Sequence, residues 1–153
     1  LRSGARPGDE VWVTGRVGGS LGSGRHLSFV PRVAEGAWLC DVLGDDLHAM
    51  IDVSDGVGID ASRIAAASGV GIEIELELVP QHEGVKDALR AIGDGEDYEL
   101  LFAVKAGAPK ASATENGTML TRIGRVVAGP AGSCVAIDGK GKRFDVAASG
   151  WEH

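Results

Sequence analysis

An alternation of apolar residues with glutamate over residues 71–79, GIEIELELV, constrains the fold of this chain more than any other stretch. Successive side chains of a β-strand point to opposite faces, so the pattern predicts one long strand with a buried face and a face in water, ended by Pro80. Further segments with strand-like composition lie at 10–14, 47–53, 98–104, 121–128 and 133–137. The Asp138-Gly139 turn predicts a hairpin that pairs the last of these with residues 140–146.

An amphipathic helix is predicted directly after Asp55. Residues with helical spacing form its apolar face, namely Val57, Ala61, Ile64, Ala65 and Ser68. Gly69 is suited to the left-handed position that ends a helix. Shorter helices are expected at 85–92 and 109–116, and Pro31 is expected to keep the segment after it extended. Strands interleaved with helices predict an α/β (mixed α+β) fold, in the form of a layered α/β domain rather than a barrel.

Charge and composition narrow the classes of function. A formal net charge of −7, with lysines and arginines scattered along the chain, argues against a nucleic-acid-binding surface. No apolar run approaches the roughly 18 residues of a membrane helix. Cys40 and Cys134 are expected to be buried thiols in a reducing compartment, so we expect a cytoplasmic protein without membrane partners. The polar stretch from Arg2 to Asp9, marked by glycine and proline, is typical of a linker and predicts a fragment of a longer chain.

The motif IDVSDG at residues 51–56 places two carboxylates at a strand-to-helix turn. Asp52 and Asp55 can converge there on one hard cation, while free N–H groups of the new helix can face an anion. This combination suits magnesium-bound phosphate. The alternative is that Ser54 or Asp55 caps the helix and Asp52 makes a turn hydrogen bond, and the spacing alone favours that alternative. Asp60, within the helix, is expected to be solvated or salt-bridged.

Three other motifs are less specific. The segment GSLGSGRH at residues 19–26 has glycines spaced as in a phosphate loop, but lacks the Lys and Ser/Thr that such a loop needs, and we interpret it as a flexible glycine loop. GEDYELLF at residues 95–102 places Glu96 and Asp97 in a loop before a strand, which on its own is a solvated turn. His48, within an apolar strand, is expected to be a core histidine with a hydrogen-bond partner.

Taken together, several segments in a fixed order resemble the thiamine-monophosphate kinase family, which belongs with the aminoimidazole ribonucleotide synthetase-like enzymes. They are RSGARPGDEVWVTGRVG, the Pro31-Arg32 pair with EG at 35–36, HAMIDVSDG with the helix ending ASGVG, GEDYELLF, IGRV and the terminal GW. The resemblance covers the C-terminal half of chains with two α/β domains. It implies that residues 1–9 are an interdomain linker and 10–153 the C-terminal domain. The glycine segment before Pro31 is shorter than is usual in the family.

The resemblance implies ATP-dependent conversion of thiamine monophosphate to thiamine diphosphate with Mg²⁺, by a homodimer of the full-length protein. The implied roles are Mg²⁺ ligation by Asp52 and Asp55, ATP contact by Arg2 and Ser54, and substrate binding by Glu96 and Trp151. No catalytic base is implied, since the accepting phosphate oxygen is already anionic. The family's other metal-binding acids lie in the absent domain, so we expect this chain to be inactive alone. Two alternatives remain open: another ATP-dependent enzyme of the same superfamily, and a non-catalytic domain for ligand binding or assembly.

Overall fold

The computed structural model describes residues 2–147, and within them the chain forms one seven-stranded sheet. Its strands are β1 (Glu10–Thr14), β2 (Leu47–Asp52), β3 (Gly71–Glu75), β4 (Leu100–Val104), β5 (Leu120–Val127), β6 (Cys134–Ile137) and β7 (Arg143–Asp145). Their order is β2-β4-β1-β5-β3-β6-β7. β3 and β6 pair in parallel, and the other neighbours pair antiparallel. The predicted hairpin across Asp138-Gly139 is confirmed as β6 and β7.

Helices cover both faces of the sheet. They are α1 (Ser20–Ser23), α2 (Val33–Leu43), α3 (Val57–Ser68) and α4 (Ala88–Ala91). Leu39 of α2 packs with Phe102 of β4 on one face. Ile64 of α3 packs in the larger core with Leu101, the neighbour of Phe102, on the other face. Because consecutive residues of β4 are both fully buried, the sheet is the middle layer of three, and the predicted layered α/β fold is confirmed.

The helix after Asp55 is confirmed over Val57–Ser68, and Gly69, with φ 70°, is its left-handed C-cap. The long strand predicted over 71–79 is wrong in its second half, where β3 ends at Glu75 and a 3₁₀ turn follows over Leu76–Leu78. Its glutamate face is in water only in part: Glu77 is exposed and Glu75 is partly exposed, but Glu73 is buried. Glu73 is 9% exposed and forms ion pairs of 2.7 Å with Arg125 of the neighbouring strand β5 and with Arg143 of β7, the strand beyond β6.

The predictions of an extended segment after Pro31 and of a helix at 109–116 are also wrong. The segment after Pro31 is helical as α2, since a proline just ahead of a helix loses no hydrogen bond that the helix needs. Residues 109–116 are not helical; they turn back at 114–118, where Thr114 N–H donates to Thr118 O at 2.8 Å. The helix expected at 85–92 is reduced to α4, which Asp87 caps at its N-terminus.

The first described residues are bound to the domain. The amides of Gly4 and Ala5 both donate to Ser68 Oγ at 3.2 Å. The Asp9 carboxylate lies 2.7 Å from His48 Nδ1, which confirms His48 as a partnered core histidine. That this segment is an interdomain linker stays a prediction.

The expectation of two buried thiols holds for one cysteine. Burial raises the pKa of Cys134 to about 12. Cys40 is exposed, because it lies on the side of α2 away from the sheet. Within residues 2–147, none of the helices has the length and apolar character that a membrane crossing requires.

Candidate functional site

The two acidic motifs, distant in sequence, lie side by side. Glu96 N–H donates to Ser54 O at 2.7 Å, and Tyr98 N–H donates to Val53 O at 2.9 Å. In return, Val53 N–H donates to Glu99 O at 2.8 Å. This short ladder extends the β2–β4 pairing beyond the ends of both strands. It brings together Ser54 and Glu96, which the sequence analysis assigned to two different ligands.

The turn between β2 and α3 is closely packed against the second motif. Asp52 is the last residue of β2 and is exposed, whereas Asp55, three residues on, forms an ion pair with Arg63 of α3. Gly56 has φ 116°, and a Cβ there would lie 3.0 Å from the Ile92 carbonyl oxygen. Glycine is therefore required where the turn meets the 92–94 segment.

The capping alternative is not confirmed, because the N-cap of α3 is Gly56 rather than Ser54 or Asp55. Asp60 Oδ2 accepts from Ser54 N–H at 3.0 Å and from Asp55 N–H at 3.1 Å, and Oδ1 binds Arg63 at 2.7 Å. Asp60 is salt-bridged as expected but fully buried, and burial raises its pKa. The Ser54 and Asp55 amides belong to the turn; among the first amides of α3, which were expected to face an anion, that of Gly58 donates to Ile92 O at 2.9 Å.

A stacked aromatic pair separates two clefts beside the motifs. The rings of Phe29 and Tyr98 lie 3.9 Å apart between centroids. One cleft, of about 330 Å³, includes the aromatic pair, Arg32 and Asp52 in its lining. The other, of about 150 Å³, is more polar; among its lining residues are Ser20, Arg25, Arg32, His82, Asp97 and Glu99. Exposed Asp52 and half-buried Asp97 thus lie against different clefts of the same site.

Glu99 is a site residue that the sequence analysis missed. It is 5% exposed, and its carboxylate accepts two hydrogen bonds from Arg32 and one of 2.6 Å from the Thr14 hydroxyl. The sequence did not indicate its burial, because strand alternation with Leu100 and Phe102 facing the core predicts that Glu99 faces away from it. The signal available in the sequence was the Pro31-Arg32 pair, whose arginine is the counter-ion.

Within residues 2–147 there is no group of three or more His, Cys, Asp or Glu side chains that could hold a metal ion. Arg2 is exposed at the start of the described chain. Trp151, the second predicted substrate-binding residue, lies outside the described residues.

A layered α/β domain with an acidic strand-to-helix turn against a second acidic loop defines the class of protein. Residues 30–137 match the family described as AIR synthase related protein, C-terminal domain, and the chain belongs to that family. Among curated relatives, it is 44% identical over 140 residues to the thiamine-monophosphate kinase of Rhodopirellula baltica, covering 83% of this chain and 42% of that protein. It is 34% identical over 182 residues to the thiamine-monophosphate kinase of Escherichia coli K12, covering 99% and 54%.

Solved structures agree with this assignment. A thiamine-monophosphate kinase from Stenotrophomonas maltophilia K279a superposes with a TM-score of 0.70 at 26% identity, over 92% of this chain and 52% of that one. AaThiL complexed with AMPPCP and TMP superposes with a TM-score of 0.69 at 28% identity, over 99% and 53%. A hydrogenase maturation protein HypE in complex with ATP, at 18% identity and TM-score 0.75, shares the fold. The chain spans about half the length of the curated relatives it matches.

Proposed function

We propose that this chain is the C-terminal half of a kinase that phosphorylates thiamine monophosphate to thiamine diphosphate. In this reaction the bond from the γ-phosphorus of ATP to its bridging oxygen breaks, a bond to a phosphate oxygen of thiamine monophosphate forms, and ADP leaves. The observation that carries the proposal is the backbone ladder joining Ser54 to Glu96, because the residues we propose to contact the nucleotide and the vitamin are neighbours there. Identity of 44% over 140 residues to a thiamine-monophosphate kinase supports it.

We assign Asp52 and Asp55 as Mg²⁺ ligands of the full-length protein. Mg²⁺ is commonly held by one or two carboxylates, with phosphate oxygens and water completing an octahedral shell, so a turn with two carboxylates fits it. The exposed position of Asp52 supports this fit. Asp55 is 18% exposed in its side chain and is paired with Arg63, so it would share its carboxylate between the ion and the guanidinium. When bound, the ion would neutralise charge on the phosphates that meet here.

The residues of this chain would act by positioning rather than by proton transfer. The accepting phosphate oxygen is anionic, so the reaction needs no general base, and the obstacle is bringing two polyanions into line. In this proposal Ser54 and Arg2 contact ATP, and Glu96 attracts the cationic thiamine. Trp151 would pack its ring against the thiazolium, a cation–π attraction of about 0.5–2 kcal/mol.

We also propose how this chain is arranged within the full-length protein. Residues 1–9 would be the linker to an N-terminal domain, and 10–153 the C-terminal domain of a cytoplasmic homodimer. Within residues 2–147 no third metal ligand joins the two aspartates. The remaining acidic ligands would therefore come from the N-terminal domain, and this chain alone would be inactive.

The test is a product assay with the full-length protein. Incubation with ATP, Mg²⁺ and thiamine monophosphate is expected to yield ADP and thiamine diphosphate in equal amounts, measured by ³¹P NMR, and removal of Mg²⁺ with EDTA is expected to stop the reaction. Formation of ADP without thiamine diphosphate, or no turnover at all, would contradict the proposed kinase.

A further inference from the structure

The glycine-rich segment after β1 is bound by carboxylates of the protein itself. Gly18 N–H donates to Asp97 Oδ2 and Gly19 N–H donates to Asp94 Oδ2, each at 2.8 Å. The two glycines have φ angles of 88° and 72°, and consecutive amides in such a conformation form a concave donor pair for anions. The pair is filled by side chains of the loop that contains Glu96. The segment is thus a support for that loop, not a free phosphate loop.

The glycine-rich segment packs tightly against α4 at Gly18. A Cβ at Gly18 would lie 2.7 Å from the Ala91 Cβ, so a side chain there would force the segments apart. The Arg25 guanidinium also donates to Gly18 O at 2.5 Å, which holds the peptide from the opposite direction. Gly18 is therefore fixed through both its N–H and its C=O groups.

The backbone that this contact supports is unusual. Glu96 and Tyr98 have φ angles of 63° and 53°, and they are the non-glycine residues with positive φ among those described. The backbone of a non-glycine residue rarely has a positive φ, and it keeps this conformation only where the surrounding structure imposes it. Hydrogen bonds to Ser54 O and Val53 O fix the loop on one side. Asp94 and Asp97, which flank Glu96 in sequence, fix it on the other.

We propose that Asp94 and Asp97 are positioning residues, which hold the backbone of Glu96 in its left-handed conformation and thereby place its carboxylate for the cationic substrate. This rests on the proposed kinase function. We assign neither aspartate a contact with substrate, because each accepts a hydrogen bond from a glycine N–H group through one carboxylate oxygen. Asp97 Oδ1 is buried without a hydrogen-bond partner among residues 2–147. Retaining a carboxylate in such surroundings is costly, as is typical of functional sites.

The test is a double-mutant cycle in the full-length protein, with KM for thiamine monophosphate and kcat measured separately. Asp97→Ala is expected to raise KM about tenfold with a smaller change in kcat. Asp97→Asn is expected to retain most of the affinity, because its amide oxygen can still accept from Gly18 N–H. Glu96→Gln is expected to raise KM in the wild-type background but by less than about twofold in the Asp97→Ala background. Asp41→Ala, an exposed aspartate of α2, is the matched control.

A merely structural role for Asp97 would give a different pattern. Asp97→Ala would then lower the active fraction with KM unchanged, and the Glu96→Gln effect would multiply in full; either result overturns the inference. Hydrogen exchange separates this failure from failure of the kinase function. Asp97→Ala is expected to speed exchange of the Glu96 and Tyr98 amides at least about tenfold, with the Val126 amide unchanged. Unchanged exchange at Glu96 would overturn the positioning role, whatever reaction the protein catalyses.

Discussion

Arg32 donates two parallel hydrogen bonds to the carboxylate of Glu99, 2.8 Å from Nε to Oε2 and 2.7 Å from Nη2 to Oε1. Glu99 also accepts from Thr14 of β1, and Arg32 stands at the N-terminal end of α2. One ion pair, with Glu99 buried and Arg32 partly exposed, therefore joins α2, β1 and the loop that contains Glu96. Arg32 lines both clefts and Glu99 lines the smaller one, so the ion pair bears on the site as well as on the fold.

Removing Arg32 should destabilise the protein strongly. Arg32→Ala would leave the Glu99 carboxylate, 7% exposed, without its counter-ion, and such a loss costs about 3–5 kcal/mol. The stability of Arg32→Lys should lie between those of the wild type and Arg32→Ala, because a lysine keeps the charge but cannot make the bidentate contact. Urea unfolding of the full-length protein measures the change, with Arg90→Ala, an exposed arginine of α4, as control. A loss below about 0.5 kcal/mol for Arg32→Ala would contradict the role of the pair.

Removing the Asp60 carboxylate should destabilise the acidic turn between β2 and α3. Asp60→Ala would remove the carboxylate that accepts from the Ser54 and Asp55 amides and that pairs with Arg63, at a cost of about 2–3 kcal/mol. Asp60→Asn should lose less, because its amide oxygen can still accept from the turn. Hydrogen exchange at the Ser54 and Asp55 amides reports the local effect. Equal exchange rates in the wild type and in Asp60→Ala would show that another group holds the turn.

Asp97 should make stability depend on pH. Burial raises its pKa from 3.8 to about 7, so between these values the folded protein binds more protons than the unfolded chain. Stability is therefore lost as the pH rises through this window, and the cost is complete above pH 7. Asp97→Asn removes the titration, so its stability relative to wild type should increase between pH 4 and 7, by on the order of 2 kcal/mol, and then stay level. A difference independent of pH would contradict the shift.

Asp55→Asn should lower the rate of the full-length kinase about a hundredfold and raise the Mg²⁺ concentration needed for half-maximal rate. The substitution also disturbs the ion pair with Arg63, so Arg63→Gln is the matched control that alters the pair and keeps the carboxylate. Asp41→Asn controls for the loss of one charge. If Arg63→Gln reproduced the full effect of Asp55→Asn with unchanged Mg²⁺ dependence, the metal assignment of Asp55 would be wrong.

Sequence patterns correctly predicted those helices and strands that are determined by residues close together in the chain. α3 follows from its apolar spacing and Gly69, and the β6–β7 hairpin follows from Asp138-Gly139. α2 was missed because Pro31 indicates extended backbone locally, although a proline immediately before a helix is compatible with it.

The supporting contacts of the site could not be predicted in the same way. Asp97 and Gly18 are distant in sequence, and only the antiparallel pairing of β1 with β4 brings their segments together. Glu73 carries the alternation of a solvent-facing residue, and its burial depends on arginines of two other strands. Motif resemblance suggested where ligands bind, whereas the groups that hold those residues in place depend on tertiary structure.

The most direct test of the central claim is a crystal structure of the full-length protein with Mg²⁺, a non-hydrolysable ATP analogue and thiamine monophosphate. We predict at least one Mg²⁺ ion about 2.0–2.1 Å from a carboxylate oxygen of Asp52 or Asp55, with a phosphate oxygen in the same coordination shell. Both carboxylates turned away from every ion, with Asp55 still paired to Arg63, would contradict it.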